Sequence, residues 1–330
     1  MTTFKAFRIF SEDGKVAARY VDMNLDELDA GDVVIKVAYS SVNFKDALAA
    51  TGTGRIIRRF PCVGGIDLSG TVVESADARF REGDAVIATS YDIGVAHDGG
   101  YAEYARIPAG WVVPMPKGLD LFEAMALGTA GFTAALAVER MEHDGLQPGN
   151  GPVIVSGATG GVGSIAIDIL AGSGYRVVAL TGKGQERAYL QGLGAQEVML
   201  RSDLELDKIK PLDKATWAGA VDNLGGEVLS WIASTMQIGG TLASIGLAAS
   251  HTFNTTVMPF ILRGVSLLGI DSVNAPQPLR EKVWARLGSD LKPKQLRSIV
   301  TTVDFAGLPG VFTKILDKQM RGRAVVKIAR

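Results

Sequence analysis

The run "VNFKDALAATGTGRIIRRFP" (42–61) sets three polar side chains, Asn43, Lys45 and Asp46, into otherwise apolar surroundings. An ammonium group can stabilise a developing anion or deliver a proton, and a carboxylate can orient its neighbours. Three guanidinium groups follow, on Arg55, Arg58 and Arg59, and their forked donors match phosphate oxygens. The same residues have a plainer reading. Asn43 and Asp46 are good capping residues and would start a helix near 44, and the arginines would form a solvated basic loop. The stretch is therefore a loop, a metal site short of its ligands, or the pocket of an enzyme that works without metal.

A second group lies in "GATGGVG" (157–163), between the apolar run "PVIVSG" and the helical pattern "SIAIDILAGSG". Strand, glycine turn and helix in that order are the context of a dinucleotide site. Gly160, Gly161 and Gly163 would let the backbone approach a pyrophosphate, and the helix N-terminus would supply amides to it. The first glycine of the usual G-x-G-x-x-G is replaced by Ala158. After the next strand, "YRVVALT", an NAD site would carry an acid for the ribose 2′-hydroxyl. Here Thr181, Gly182 and Lys183 follow, with no acid until Glu186, and Arg201 ends the strand after that. A hydroxyl, a close-approach glycine and two cations suit a 2′-phosphate, and so NADPH.

The remaining chemistry is sparse. Three histidines (His97, His143, His251) and one cysteine, Cys62, cannot make a Cys₄ zinc site within one chain. Cys62 has no histidine within local reach and reads as a buried small residue, and His97, in a Gly-rich loop, as a surface histidine. A lone cysteine excludes an intramolecular disulfide and fits a reducing cytosol.

These groups need a scaffold. The chain has 330 residues, 47% hydrophobic, which is enough for two domains. A net charge of −1 gives no bulk attraction for nucleic acid or an anionic membrane. The N-terminus shows no signal-peptide pattern, and apolar runs such as "TTVMPFIL" fall short of the ~20 residues that span a bilayer. Residues 4–110 alternate short β-type runs ("DVVIKVAYSSV", "LSGTVVES", "GDAVIATS") with Gly/Asp turns, which predicts a largely β domain. Helical pattern fills 119–146 up to "QPGNG". From 152, strand and helix alternate through "EVML", "WAGAVDNL", "GGTLASIGL" and "GVSLLGID", the pattern of a doubly wound parallel sheet. The tail predicts a helix over 279–291, a strand near 298–304, a further helix and a last strand, "RAVVKIA".

A β-rich first part, then "GTAGFTA", then "GATGGVG" resembles the zinc-free medium-chain dehydrogenase/reductases of the quinone-oxidoreductase branch. "SSVNFKDALAATGTGRIIRRFP", "GGIDLSGTV", "GATGGVGS", "TGK", "LGA", "WAGAVD", "TTVMPFILRGVSLLGIDSV" and "RGRAVVKI" together resemble the acrylyl-CoA reductase family, from about residue 4 to the C-terminus. Zinc-dependent relatives carry Cys near 43, Gly-His-Glu at 65–67 and Cys just before "GTAG". Here those places read Val-Asn-Phe, Gly-Ile-Asp and Met-Ala-Leu, and no metal is implied.

The resemblance implies an α/β fold: a β-rich GroES-like catalytic domain over 1–122 and 275–330, and a Rossmann NADP(H)-binding domain over 123–274. It puts Phe44 beside the nicotinamide, where tyrosine is common, and Thr159, Gly160, Gly161, Val162, Thr181, Gly182, Lys183, Arg201, Leu247, Ile261 and Ser272 at the NADP(H). It implies a cytoplasmic enzyme, paired through "GVSLLGID" into a homodimer, that reduces the C=C bond of acryloyl-CoA. Asn43 would position the cofactor, Lys45 would stabilise the enolate or deliver the proton, Asp46 would orient its neighbours, and Arg55, Arg58 and Arg59 would hold the coenzyme A phosphates. Two other readings share the cofactor site: a broad NADPH:quinone or enone reductase, and a non-catalytic NADPH-binding protein.

Overall fold

The computed structural model describes residues 3–328. The chain divides into two compact units, one of Met1–Ala130, Val273–Gly288 and Val300–Arg330, the other of Gly131–Ser272 and Ser289–Ile299. This division differs from 1–122, 275–330 and 123–274 chiefly in the segment 289–299. A buried acid accounts for it: Asp168, on the helix Gly161–Gly172, accepts the backbone N–H groups of Lys294 and Gln295 at 3.0 and 2.7 Å.

The first unit is built from two sheets. Strands Thr3–Glu12 and Lys15–Asn24 form a hairpin, with Cys62–Val63 added beside the first. The second strand of the hairpin lacks a clear sequence signal, because charges such as Lys15, Arg19 and Asp22 break its alternation. The turn between the two strands is formed by Asp13 and Gly14, which both take positive φ (48° and 75°), as a two-residue hairpin turn requires. The larger sheet runs Val300–Asp304, Arg323–Lys327, Val33–Val42, Asp67–Ser75, Ala85–Thr89, Val112–Pro114, with Tyr104–Ile107 also paired to Val33–Val42. Phe4, Phe7, Ile35, Leu68, Tyr101 and Phe312 are part of the core between these elements.

The second unit is a six-stranded parallel sheet, in the order Glu197–Leu200, Arg176–Thr181, Pro152–Ser156, Trp217–Asp222, Met236–Ser244, Ser266–Gly269. Its strand order reverses between Pro152–Ser156 and Trp217–Asp222. Ligands of open α/β sheets bind at such a point, outside the carboxyl ends of the strands. The Pro152–Ser156 strand is buried throughout, which is why it reads as one continuous apolar run.

The helix Leu121–His143 corrects one sequence expectation. It is long and apolar enough to cross a membrane by length and composition, but 78% of its apolar window is buried inside the protein. It is also broken: Gly128 takes φ 52° and ψ −154°, outside helical geometry.

Candidate active site: a buried polar network and a nucleotide-binding turn

The kink at Gly128 frees backbone groups that a continuous helix would consume. Thr129 donates its N–H to Asp67 Oδ2 at 3.0 Å and its hydroxyl to Asp67 Oδ1 at 2.5 Å. The carbonyl of Ala126 accepts Arg323 Nε at 3.3 Å. Ser41 Oγ donates to Asp67 Oδ2 at 2.6 Å and accepts Arg323 Nη2 at 2.7 Å. Arg323 and Asp67 form an ion pair at 3.6 Å with side chains 3% and 0% exposed. A pair so buried is tolerable only because the remaining donors and acceptors are satisfied.

Asn43 joins this network to the helix Phe44–Thr51, whose N-cap it is. Its Oδ1 accepts Arg323 Nη1 at 2.9 Å, and its Nδ2 donates to Asp67 Oδ2 at 2.8 Å and Asp46 Oδ2 at 3.2 Å. Asp46 Oδ2 also accepts the Asn43 backbone N–H at 2.8 Å, one half of a capping box, and its Oδ1 accepts the Ile66 N–H at 3.0 Å. The capping reading of these two residues therefore holds. Both amide hydrogens of Asn43 are engaged inside the protein, and Asp46 is buried.

Burial, reinforced by the nearby Asp67 charge, pushes the Asp46 carboxyl up to about 7, against the pull of its hydrogen bonds. Tyr101, whose hydroxyl donates to the Ser41 carbonyl at 3.1 Å, is held well above the usual phenol range, first by burial and then by the charges of Asp46 and Asp67. Asp67 belongs to the segment 65–67, where the resemblance sets a Gly-His-Glu in zinc-dependent relatives. Its charge is answered here by a guanidinium. Among the described residues, no three His, Cys, Asp or Glu side chains are grouped to hold a metal ion.

Two residues of the helix's first turn stay outside the network. Phe44 is 54% exposed, and the half-buried Lys45 makes no hydrogen bond or ion pair with the described residues. The arginine cluster separates into different environments. Arg58 is paired with Asp92, and Arg59 with Asp29, with the carbonyl of Ala96 at 3.0 Å and with Asp98 at 3.6 Å. Arg55 alone of the three is exposed with no partner among the described residues.

In the other unit the glycine turn has the form a pyrophosphate needs. Gly160 caps the helix Gly161–Gly172, and Gly157 takes φ 59°. A Cβ on Gly163 would meet the Gly157 carbonyl oxygen at 2.5 Å, so only glycine lets this helix start against the turn. Thr159 is buried, and Val162 lies half-buried in the first turn. Ser156 Oγ donates to Asp222 Oδ1 at 2.6 Å, and Asn223 Nδ2 donates to the Ser156 carbonyl at 2.7 Å. These bonds fix the two strand ends that flank the reversal in strand order.

Register settles where the two cations lie. Thr181 pairs with Leu200 across adjacent parallel strands, so Lys183 and Arg201 leave the sheet at the same carboxyl edge. Thr181 Oγ1 accepts the Lys183 N–H at 3.0 Å, which shapes the turn after the strand. Apart from its chain neighbours, nothing lies within 4 Å of where a Cβ on Gly182 would stand, and Arg201 is exposed without a partner among the described residues. The turn thus has the room and charge for a phosphorylated ribose. Leu247 and Ile261 are 66% and 70% exposed, while Ser272 is 9% exposed. Leu247 lines a cavity of about 280 Å³ with Ser244, Ile245, Gly246 and His251.

Sequence reading did not find Ser41, Asp67, Thr129 or Arg323. The one available signal was an Arg and an Asp inside otherwise apolar strands. His97 is corrected from a surface residue to a buried one, with Nδ1 and Nε2 each 3.0 Å from the backbone carbonyls of Asp98 and Ala30. Cys62 is buried as read, and burial, with the nearby Asp98 charge, pushes its thiol up to about 12.

Comparison with known proteins adds to this geometry. The alcohol dehydrogenase GroES-like domain matches residues 29–117, and the zinc-binding dehydrogenase domain matches 161–288. YhfP of Bacillus subtilis, named as a provisional quinone oxidoreductase, is 49% identical over 328 residues, 99% of each chain. Its crystal structure with NAD bound superposes with a TM-score of 0.97 over 99% of this chain and 100% of that one. The acrylyl-CoA reductase AcuI of Ruegeria pomeroyi is 44% identical over 317 residues, 96% of each. The yhdH oxidoreductase of Salmonella enterica, in complex with NADP, is 43% identical with a TM-score of 0.96, covering 98% of this chain and 100% of that one.

Proposed function

Since the chain belongs to the medium-chain dehydrogenase/reductases, in their zinc-free, quinone-oxidoreductase-like branch, we propose that it reduces acryloyl-CoA with NADPH. The reaction is acryloyl-CoA + NADPH + H⁺ → propanoyl-CoA + NADP⁺. NADPH supplies the hydride, which goes to the β-carbon. Negative charge then develops on the thioester oxygen, and the α-carbon takes a proton.

The observation that carries the cofactor half is the register of Thr181 with Leu200, which gathers Lys183 and Arg201 where an NAD site would place an acid. A relative bound to NADP supports it, although another is bound to NAD. The substrate half is supported by the acrylyl-CoA reductase at 44% identity. Lys45 is assigned to the enolate, because its ammonium has no partner among the described residues and a preorganised cation is worth most where charge develops. Phe44 is assigned to the nicotinamide face, and Arg55 to a phosphate of coenzyme A. A cytoplasmic setting and pairing of two copies along the edge strand Ser266–Gly269, where Leu267 is 41% exposed, complete the reading.

A second reading, a broad NADPH:quinone or enone reductase, is favoured by two observations. YhfP is the relative at 49% identity, and the acids around Arg58 and Arg59 leave fewer cations for coenzyme A. Steady-state rates with acryloyl-CoA, crotonyl-CoA and a simple quinone, each with NADPH and NADH, decide between them. Preference for NADPH and acryloyl-CoA supports the first reading. Turnover of quinone with none of acryloyl-CoA supports the second.

A further inference from the structure

The geometry points to Asp67, Thr129 and Arg323 as positioning residues for the reaction, acting through the first turn of the helix Phe44–Thr51. This inference rests on the reading that Phe44 and Lys45 face the reactants. All three positioning side chains are spent internally, so none is left to bind a substrate. What they fix is Asn43. Its oxygen is held by Arg323 and its amide nitrogen by Asp67 and Asp46, so the carboxamide has one orientation and the N-cap one position. Lys45 is two residues further on.

The arrangement is costly if stability is all it provides. A buried ion pair often contributes no more than apolar residues of the same volume. Here the chain also breaks a helix to make room for it. A Cβ on Gly128 would lie 2.6 Å from Asp67 Oδ2, 2.7 Å from Arg323 Nη2 and 2.7 Å from Ser41 Oγ. Only glycine at this kink admits the network, and only the kink presents the Thr129 N–H to Asp67. The network ties four segments distant in sequence, around residues 41–43, 67, 126–129 and 323, to the start of one short helix. Misplacement of a reacting group by about 1 Å costs on the order of a hundredfold in rate.

The test uses Thr129→Val, which removes a hydroxyl at nearly constant volume, and Thr129→Ser, which keeps it. Kinetics are measured on whichever enone or quinone the parent reduces fastest. The inference predicts that Thr129→Val loses at least tenfold in kcat while KM for NADPH stays within twofold, and that Thr129→Ser stays within twofold in both. A Thr129→Val enzyme with kcat within twofold of the parent overturns it, as does a Thr129→Ser enzyme as slow as Thr129→Val. Amide hydrogen exchange over 44–51 gives a readout that needs no turnover. Exchange faster there in Thr129→Val than in the parent, with the sheet of the other unit unchanged, supports the anchoring, and unchanged exchange overturns it. A parent that turns over neither acryloyl-CoA nor quinone would defeat the functional reading, and the exchange measurement would still decide the anchoring.

Discussion

Arg323 Nη1 lies 2.9 Å from Asn43 Oδ1, across 280 positions of sequence. Through this bond the last strand of the chain orients the amide that starts the helix carrying Phe44 and Lys45. Of the polar triplet in that turn, Asn43 and Asp46 bond within the protein, and the Lys45 side chain has no partner among the described residues.

Replacing Lys45 by Met should therefore separate chemistry from binding. We expect kcat on the preferred substrate to fall by about 10²- to 10³-fold, the scale of losing one preorganised charge at a developing oxyanion. The dissociation constant for NADPH, measured by nicotinamide fluorescence, should stay within about twofold. An unchanged kcat would remove Lys45 from the mechanism.

The two cations at the sheet edge should set cofactor preference. Charge-assisted hydrogen bonds are worth roughly 1.5–3 kcal/mol, about tenfold to a hundredfold in affinity. Lys183→Ala and Arg201→Ala should each raise KM for NADPH by that order and leave KM for NADH nearly unchanged. Equal losses with both cofactors would mean that these side chains do not read the 2′-phosphate.

Asp46 makes stability depend on pH. Its carboxyl is raised to about 7 when folded and has an ordinary value of about 3.9 when unfolded, so the folded state holds the proton more tightly between those values. Its contribution is fully present below pH about 4 and is lost as pH rises through 7, at up to about 1.4 kcal/mol per unit. Asp46→Asn cannot ionise and should show a smaller fall in Tm from pH 5 to pH 8 than the parent. Parallel Tm profiles for the two proteins would contradict this.

The three arginines should give different phenotypes despite their adjacency. Arg55→Ala should raise KM for the coenzyme A thioester severalfold and leave Tm unchanged. Arg59→Ala should lower Tm, because it leaves Asp29 and the buried Asp98 without their cation. Thermal melts and substrate titrations on both variants test the contrast, and a stable Arg59→Ala enzyme with an impaired thioester KM would reverse the assignment.

The difference between what was legible and what was not follows from chain separation. The parallel sheet announced itself because its central strands, Pro152–Ser156 and Trp217–Asp222, are buried throughout, and the first of them reads as an unbroken apolar run. The glycine turn did so because strand, turn and helix are contiguous. The cap formed by Asn43 and Asp46 was readable at a spacing of three residues. The Asp67–Arg323 pair was not, since nothing local marks two charged residues in distant strands as partners. Arg58 and Arg59 looked available for the same reason: their acids, Asp92 and Asp29, come from other loops. Lys15–Asn24 was missed because a mostly half-buried and exposed strand tolerates charges that blur its alternation.

The central claim is hydride transfer from NADPH to the β-carbon of an enoyl thioester. The direct test is to run the enzyme with acryloyl-CoA and NADPH deuterated at the transferable position of the nicotinamide, and to locate the label in the product by NMR. The account predicts deuterium on the methyl carbon of propanoyl-CoA and a solvent proton on the carbon next to the thioester. Deuterium on the carbon next to the thioester, or NADPH oxidation without labelled propanoyl-CoA, would contradict it.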